Sequence, residues 1–381
     1  MSLTPELIQM RDALRKFVTR ELAPLEKDID ASGVLPPHVL PLMGKHGYLA
    51  MRLPQSAGGA GMGLFPYCLM LEEFSRSHRI FGLLASGGGG LTPIAISRHG
   101  TDEQKRKYLP GLIDGTLRTA FALTEPAGGS DNSAMTTRAD KTTAGWTING
   151  RKHYINGAHD ADFIMVMAIT DQQKRTRGGV TAFLVDRGTN GFNITRVDTT
   201  MGSAVIKLAE IEFDNCVVPD GAMLGQVGRG FDLAKESLLD GRMAVSCSCI
   251  GMADRMLEMS ATHAKARVTF GKPLAERQAI QWMLADSAVD LASARALVYD
   301  TLTRIDAGEH VGTLPNMCKL YCSEMVGRAA DRAVQIHGGM GIVQGYPIER
   351  MYRDVRHYRV GEGASEIQRM LIARDVLKSV P

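Results

Sequence analysis

Apolar residues recur every three to four positions near the start of the chain, where Leu7, Met10, Leu14 and Phe17 form one stripe. Thr4 can cap that helix and Pro5 suits its first position. The same spacing predicts further helices near 36–46, 66–77 and 102–113. From about Ala120 to Val218 the period shortens. Thr, Val, Ile and Phe cluster in runs such as Trp146-Thr147-Ile148, Phe163-Ile164-Met165-Val166 and Val180-Thr181-Ala182-Phe183-Leu184. Turn residues separate them, as in Asn149-Gly150, Asn156-Gly157 and Gly188-Thr189-Asn190-Gly191, which predicts a small antiparallel sheet. After Gly225–Phe231 the helical period returns. Leu284, Ala288, Leu291, Ala294, Val298, Leu302 and Ile305 mark one face of a long helix ending near Gly308, and 231–265, 313–336 and 364–378 follow the same pattern. Helices, strands and then a bundle predict an α+β chain in three parts: a helical domain 1–119, a β-domain 120–226 and a C-terminal helical bundle 227–381.

Composition narrows the classes. The 381 residues are 44% hydrophobic and 22% charged, with a formal net charge of only +3 and no long Lys/Arg block. Nucleic-acid binding therefore has no electrostatic footprint. No apolar stretch is expected to approach the ~18 residues of a membrane span, and the opening residues lack a basic and then apolar leader. Cys68, Cys216, Cys247, Cys249, Cys318 and Cys322 stand at spacings that form no zinc pattern, so buried reduced thiols in a cytoplasmic protein, with no metal, are expected.

Four segments carry candidate chemistry. In Thr124-Glu125-Pro126-Ala127-Gly128-Gly129-Ser130-Asp131 a strand meets a Pro/Gly turn whose free N–H groups and hydroxyls suit a planar ring or a phosphate. In Arg267-Val268-Thr269-Phe270-Gly271, with Arg277-Gln278 beyond, an arginine and an aromatic suit a pyrophosphate and an adenine. Each of these two segments alone is more simply a plain turn or an interhelical loop. Gln335-Ile336-His337-Gly338-Gly339-Met340-Gly341 has more glycine than a helix cap needs, and His337, without a partner nucleophile, is structural. Glu362 lies between Gly361 and Gly363, ahead of a helix whose first turn holds Ser365 and Glu366; alone, it is most simply a solvated carboxylate.

In this order the four segments closely resemble the acyl-CoA dehydrogenase family, over essentially the whole chain. The resemblance implies FAD between the β-domain and the C-terminal helices, and a homotetramer built from dimers. Leu123, Thr124, Gly129, Ser130, Tyr154 and Asn156 would then hold the flavin, with Ser130 also near the bound thioester. Arg267, Phe270, Gln278, Gln335 and Gly339 would reach the FAD of a partner subunit, and Ser365 and Glu366 would complete the site. Glu362 would be the base in α,β-dehydrogenation of an acyl-CoA to the 2-enoyl-CoA. Its backbone N–H would hold the thioester carbonyl beside Gly363, and Arg242 would support CoA. An electron-transfer flavoprotein would take the electrons.

Several positions depart from the family pattern. Tyr154-Ile155-Asn156 replaces the usual Trp-Ile-Thr. Leu239 stands where an acidic residue often precedes Arg242, which could otherwise pair with Asp240 or Glu236 on its own helix. Ala364 replaces a common Thr, and Gly361 replaces a bulky Tyr. Together with Gly87-Gly88-Gly89-Gly90, Gly361 suggests room for a branched, cyclic or otherwise wide acyl group. The competing functions are a flavin oxidase or monooxygenase of the same fold and a non-catalytic nucleic-acid-binding relative. The family's glutamate argues against the first, and the missing basic patch against the second.

Overall fold

The computed structural model describes residues 3–89 and 91–379. Helices come first: α1 Pro5–Phe17, α2 Glu26–Ser32, α3 Val39–Lys45, α4 Leu64–Phe74, α5 Arg79–Gly89, α6 Leu91–His99 and α7 Asp102–Asp114. Thr4 caps α1, its hydroxyl accepting from the Leu7 N–H, and Thr101 with Gln104 closes a reciprocal cap on α7. The strands are β1 Thr119–Ala122, β2 Arg138–Thr142, β3 Gly145–Asn156, β4 Phe163–Ile169, β5 Val180–Asp186, β6 Phe192–Thr199, β7 Lys207–Val218 and β8 Met223–Leu224. They lie in the order β6-β7-β3-β2-β4-β5-β8, with β1 beside β4. The sheet is mostly antiparallel, but β1 and a single β2 residue pair with β4 in parallel. The helices α8 Gly230–Ala266, α9 Gln278–Asp306, α10 Leu314–His337, α11 Pro347–Val355 and α12 Ser365–Lys378 complete the chain. The fold is thus the expected α+β arrangement of helices, sheet and bundle.

The two helical regions do not keep separate cores. Leu14 and Phe17 of α1, Cys68 to Leu71 and Phe74 of α4, and Cys247, Ile250 and Met256 of α8 lie in one buried apolar cluster with Val298 of α9 and Met325 of α10. All six cysteines are free and buried. Residues 79–99 have the length and mean hydropathy, 1.4, of a membrane-spanning helix, contrary to the expectation that no stretch comes near it. That segment belongs to α5 and α6 and is mostly buried inside the protein, where core helices of this composition also belong.

Buried ion pairs tie the regions together. Arg350 of α11 donates to Glu26 at 2.7 Å and to Asp30 at 2.6 Å, both on α2. Asp354 of α11 accepts from the Ser203 N–H at 2.9 Å, fastening the β6–β7 connection. In the sheet, Lys152 of β3 donates to Glu125 at 2.8 Å and to the Leu123 carbonyl at 3.0 Å. Glu125 also accepts from the Thr136 and Thr137 N–H groups at 2.6 and 3.0 Å, so this glutamate shapes the loop after β1.

Burial acts against both charges of that pair. It pulls Lys152 down to about 8, while on Glu125 it is outweighed by the ammonium and the threonine donors, which hold the carboxyl at about 2. Both therefore stay charged at neutral pH. Because the folded value of Glu125 lies below the ordinary carboxylate range, its contribution to stability is complete above that range and is lost as pH falls through about 2. Lys152→Ala should strand a buried carboxylate and cost about 3–5 kcal/mol, read as a lower urea midpoint. The double variant Lys152→Met with Glu125→Leu should recover much of that loss, and an unchanged midpoint in Lys152→Ala would refute the coupling.

Candidate active site

Between the 3-10 turn Arg356–Arg359 and α12 the chain must reverse direction. It does so through Glu362 and Gly363, whose φ angles are +55° and +87°. A left-handed backbone costs a residue with a Cβ about 1–3 kcal/mol, so the surroundings must impose it. They do: the buried Lys319 of α10 donates to the Gly363 carbonyl at 2.7 Å. Gln368 of α12 donates to the same carbonyl at 3.0 Å and to that of Glu362 at 3.3 Å. The Glu362 N–H finds no acceptor among the described residues.

This turn sends the Glu362 side chain across α8, over Gly241. A Cβ at Gly241 would stand 2.7 Å from Oε2, so only glycine leaves the carboxylate its place. Burial raises the pKa of Glu362, and Arg242 and Lys319 pull it back. Glu362 is nonetheless exposed on one side. Water reaches it there, so the full effect of burial applies once a ligand seals the opening.

Arg242 points to this carboxylate and donates to Asn316 Oδ1 at 2.9 Å, while its buried Nε has no partner among the described residues. It pairs with neither acid on its own helix. Asp240 bonds Arg52, and Glu236 lies 3.2 Å from His99. Ser365 is turned away from the cleft, its hydroxyl donating to Glu324 at 2.7 Å, whereas Glu366 is exposed.

Leu123, Thr124, Gly129 and Tyr154 meet at the top of the sheet. The Thr124 carbonyl accepts from the His153 N–H at 2.9 Å, Gly129 faces the Thr124 methyl, and Gly129 and Ser130 are exposed. Tyr154 has a φ of +58° at a register break in β3, which turns its ring out of the sheet. One face of that ring stacks on His153 at 3.7 Å, and the residue is 58% exposed. Asn156 follows at the end of β3, half-buried.

The remaining predicted residues form a second cluster around the ends of the bundle helices. β9 Val268–Thr269 and β10 Lys272–Pro273 make a hairpin whose tip is Phe270-Gly271, both with positive φ, as a two-residue hairpin turn requires. Phe270 is 98% exposed, its one ring contact among the described residues being Arg277 at 5.9 Å. Arg267 ends α8 and Gln278 begins α9, both exposed. His337 stacks on His263 at 4.5 Å, which brings the exposed Gln335 and Gly339 to the same end as Arg267. Its Nδ1 meets the Ala333 carbonyl, as suits a structural histidine. Among the described residues five non-glycines have positive φ, and three of them, Tyr154, Phe270 and Glu362, are candidate site residues. Backbone strain is thus concentrated where the chemistry was expected.

Three models of one family match in order: the acyl-CoA dehydrogenase N-terminal domain over residues 4–116, the middle domain over 120–216 and the C-terminal domain over 228–377. The chain belongs to the acyl-CoA dehydrogenase family. Its relatives include an acryloyl-CoA reductase (NADH) of Anaerotignum propionicum, 38% identical over 99% of this chain and 96% of that one. A subunit of the caffeyl-CoA reductase–Etf complex of Acetobacterium woodii is 36% identical over 97% of both chains. The butyryl-CoA dehydrogenase structure from Megasphaera elsdenii superposes with a TM-score of 0.93 at 32% identity, covering 99% of each chain.

Lys319, Gly241, Asn316 and His357 escaped the sequence, because single residues inside regular helices or turns carry no local signal. Gln368 lies two residues beyond Glu366, within the same segment. The expected wide acyl group loses one of its grounds: a Cβ at Gly361 would stand 2.6 Å from His357 Nε2, so an imidazole already fills that space. Its other ground, the glycine run 87–90, includes Gly90, which lies outside the described residues. Gly241→Ala should hold or raise stability, since alanine is the better helix former, yet cut turnover at least about tenfold by displacing the carboxylate. Unchanged turnover in that variant would separate Gly241 from the site.

Proposed function

We propose that this protein dehydrogenates an acyl-CoA thioester between Cα and Cβ, with Glu362 as the base. The observation that carries this is the strained Glu362-Gly363 turn, which sets a carboxylate of raised pKa over Gly241, between Arg242 and Lys319. An α-C–H beside a thioester is a weak acid, and its removal leaves negative charge on the thioester oxygen. The Glu362 carboxylate takes the proton while its own N–H donates to that oxygen, and Arg242 and Lys319 keep positive charge nearby.

Members of this family use FAD, and the residues present fit it. An exposed tyrosine ring held in strained backbone stands beside an open loop of glycine and serine, and on the Glu362 side the buried Arg242 Nε has no partner among the described residues. When bound, FAD supplies the acceptor for the hydride leaving Cβ. Leu123, Thr124, Gly129, Ser130, Tyr154 and Asn156 would hold its ring end on this subunit. Arg267, Phe270, Gln278, Gln335 and Gly339 stand away from Glu362, which suits a role toward the FAD of a neighbouring copy. Exposed Phe270, Trp282, Met340, Ile342 and Val343 support a homotetramer. An electron-transfer flavoprotein is the proposed electron acceptor, and the six buried thiols suit a reducing cytoplasm. In the reverse direction, enoyl reduction, the same Glu362 would return the proton.

Glu362→Gln should keep the yellow cofactor but lose about 10³-fold or more of flavin bleaching by acyl-CoA under anaerobic conditions. Normal bleaching in that variant would remove Glu362 from the role. Because the base must be deprotonated and its pKa is raised once a ligand encloses it, kcat for oxidation should rise with pH through a value above the 4.5 of an ordinary glutamate. An acid limb at or below 4.5 would contradict the enclosed carboxylate. Light scattering should find four copies per particle, and a monomeric holoenzyme would refute the assembly.

A further inference from the structure

His357 lies in the Arg356–Arg359 turn, five residues before Glu362, and its carbonyl accepts from the Val360 and Gly361 N–H groups, both at 2.9 Å. Those bonds bring its ring against Gly361, where an added Cβ would stand 2.6 Å from Nε2 and 3.0 Å from Cε1. The imidazole therefore occupies the place that a side chain next to the base would take. Like Glu362, His357 is exposed and faces Lys319. Tyr358 meets its ring nearly edge-on at 5.9 Å, with Arg79 lying over the Tyr358 ring at 5.2 Å. No described residue offers the His357 ring a hydrogen bond. Burial of its inner side, with Arg79 and Lys319 beyond, lowers its pKa from the usual imidazole value, and the ring is neutral at pH 7.

A neutral imidazole carries one N–H donor and one bare nitrogen acceptor. A plain hydrocarbon chain closing over it would strip water from both and replace neither bond. An oxygen on the acyl chain would replace one of them, and a site that hydrogen-bonds an oxygen discriminates strongly against the analogue lacking it. We propose that His357 is a specificity-determining residue that selects acyl thioesters bearing a hydroxyl or keto oxygen on the acyl chain over the plain chain of the same length. This rests on Glu362 being the base of the same cleft.

The test compares pentanoyl-CoA with 4-hydroxypentanoyl-CoA and 5-hydroxypentanoyl-CoA on the FAD-loaded enzyme, following anaerobic flavin bleaching and kcat/KM. The wild type should prefer at least one hydroxylated thioester by about tenfold or more. His357→Leu should abolish that preference while keeping FAD, and His357→Gln should retain most of it. If His357→Leu fails to load FAD, Gly361→Ala, which pushes the ring aside without removing it, should lower the same ratio. A wild type that prefers pentanoyl-CoA, or a ratio that the available variant leaves unchanged, overturns the assignment of His357 alone. A wild type bleached by none of a wider panel of acyl-CoAs overturns the role of Glu362 and this inference together.

Discussion

The ammonium of Lys319, buried in the bundle and bonded to the Gly363 carbonyl at 2.7 Å, is the contact on which the site depends. A glutamate held in left-handed backbone outside a hairpin costs free energy that its surroundings must offset. Lys319 is fixed because α10 is anchored along its buried face among α8 and α9. Gln368, itself buried, adds the second clasp from α12. Strain at Glu362 is thus balanced by interactions reaching it from two helices, and the carboxylate is aimed before any ligand arrives. Such preorganisation spares the reacting complex the reorientation of a free side chain.

The same logic governs the opposite wall. Tyr154 is turned outward by a break in the β3–β7 register, and the loop beside it is shaped by Glu125, which takes two backbone donors and the Lys152 ammonium inside the sheet. Neither Glu125 nor Lys152 faces the cleft, yet they set where Thr124 and Gly129 stand. Glycine serves different ends at different places: Gly241 leaves room for a carboxylate, Gly361 for an imidazole, and Gly363 completes the left-handed turn. A glycine counted in sequence as empty space proved, at Gly361, to be filled by a neighbour.

Much was legible beforehand because its causes are local. The α1 stripe, the Thr4 cap and the long period of α9 follow from side chains within one or two turns of one another. The β-domain was visible through its β-branched runs and turn residues, although the parallel pairing of β1 with β4 was not, since register between distant strands leaves no local mark. The long apolar 79–99 stretch shows the converse limit. Its composition alone equals that of a membrane span, and only packing against the rest of the protein makes it a core segment.

The sequence by itself determined the order of helices, sheet and bundle, the family, and which short segments carry the chemistry, because propensity, capping and motif spacing act along the chain. Tertiary structure decided which of those segments meet. It separated Phe270 and Gln335 from Glu362, turned Ser365 toward Glu324, paired Asp240 with Arg52 and brought Lys319, Gly241 and His357 to the base. These are contacts between residues far apart in the chain or on opposite sides of a turn. Their energies depend on distance and burial, which no local pattern encodes.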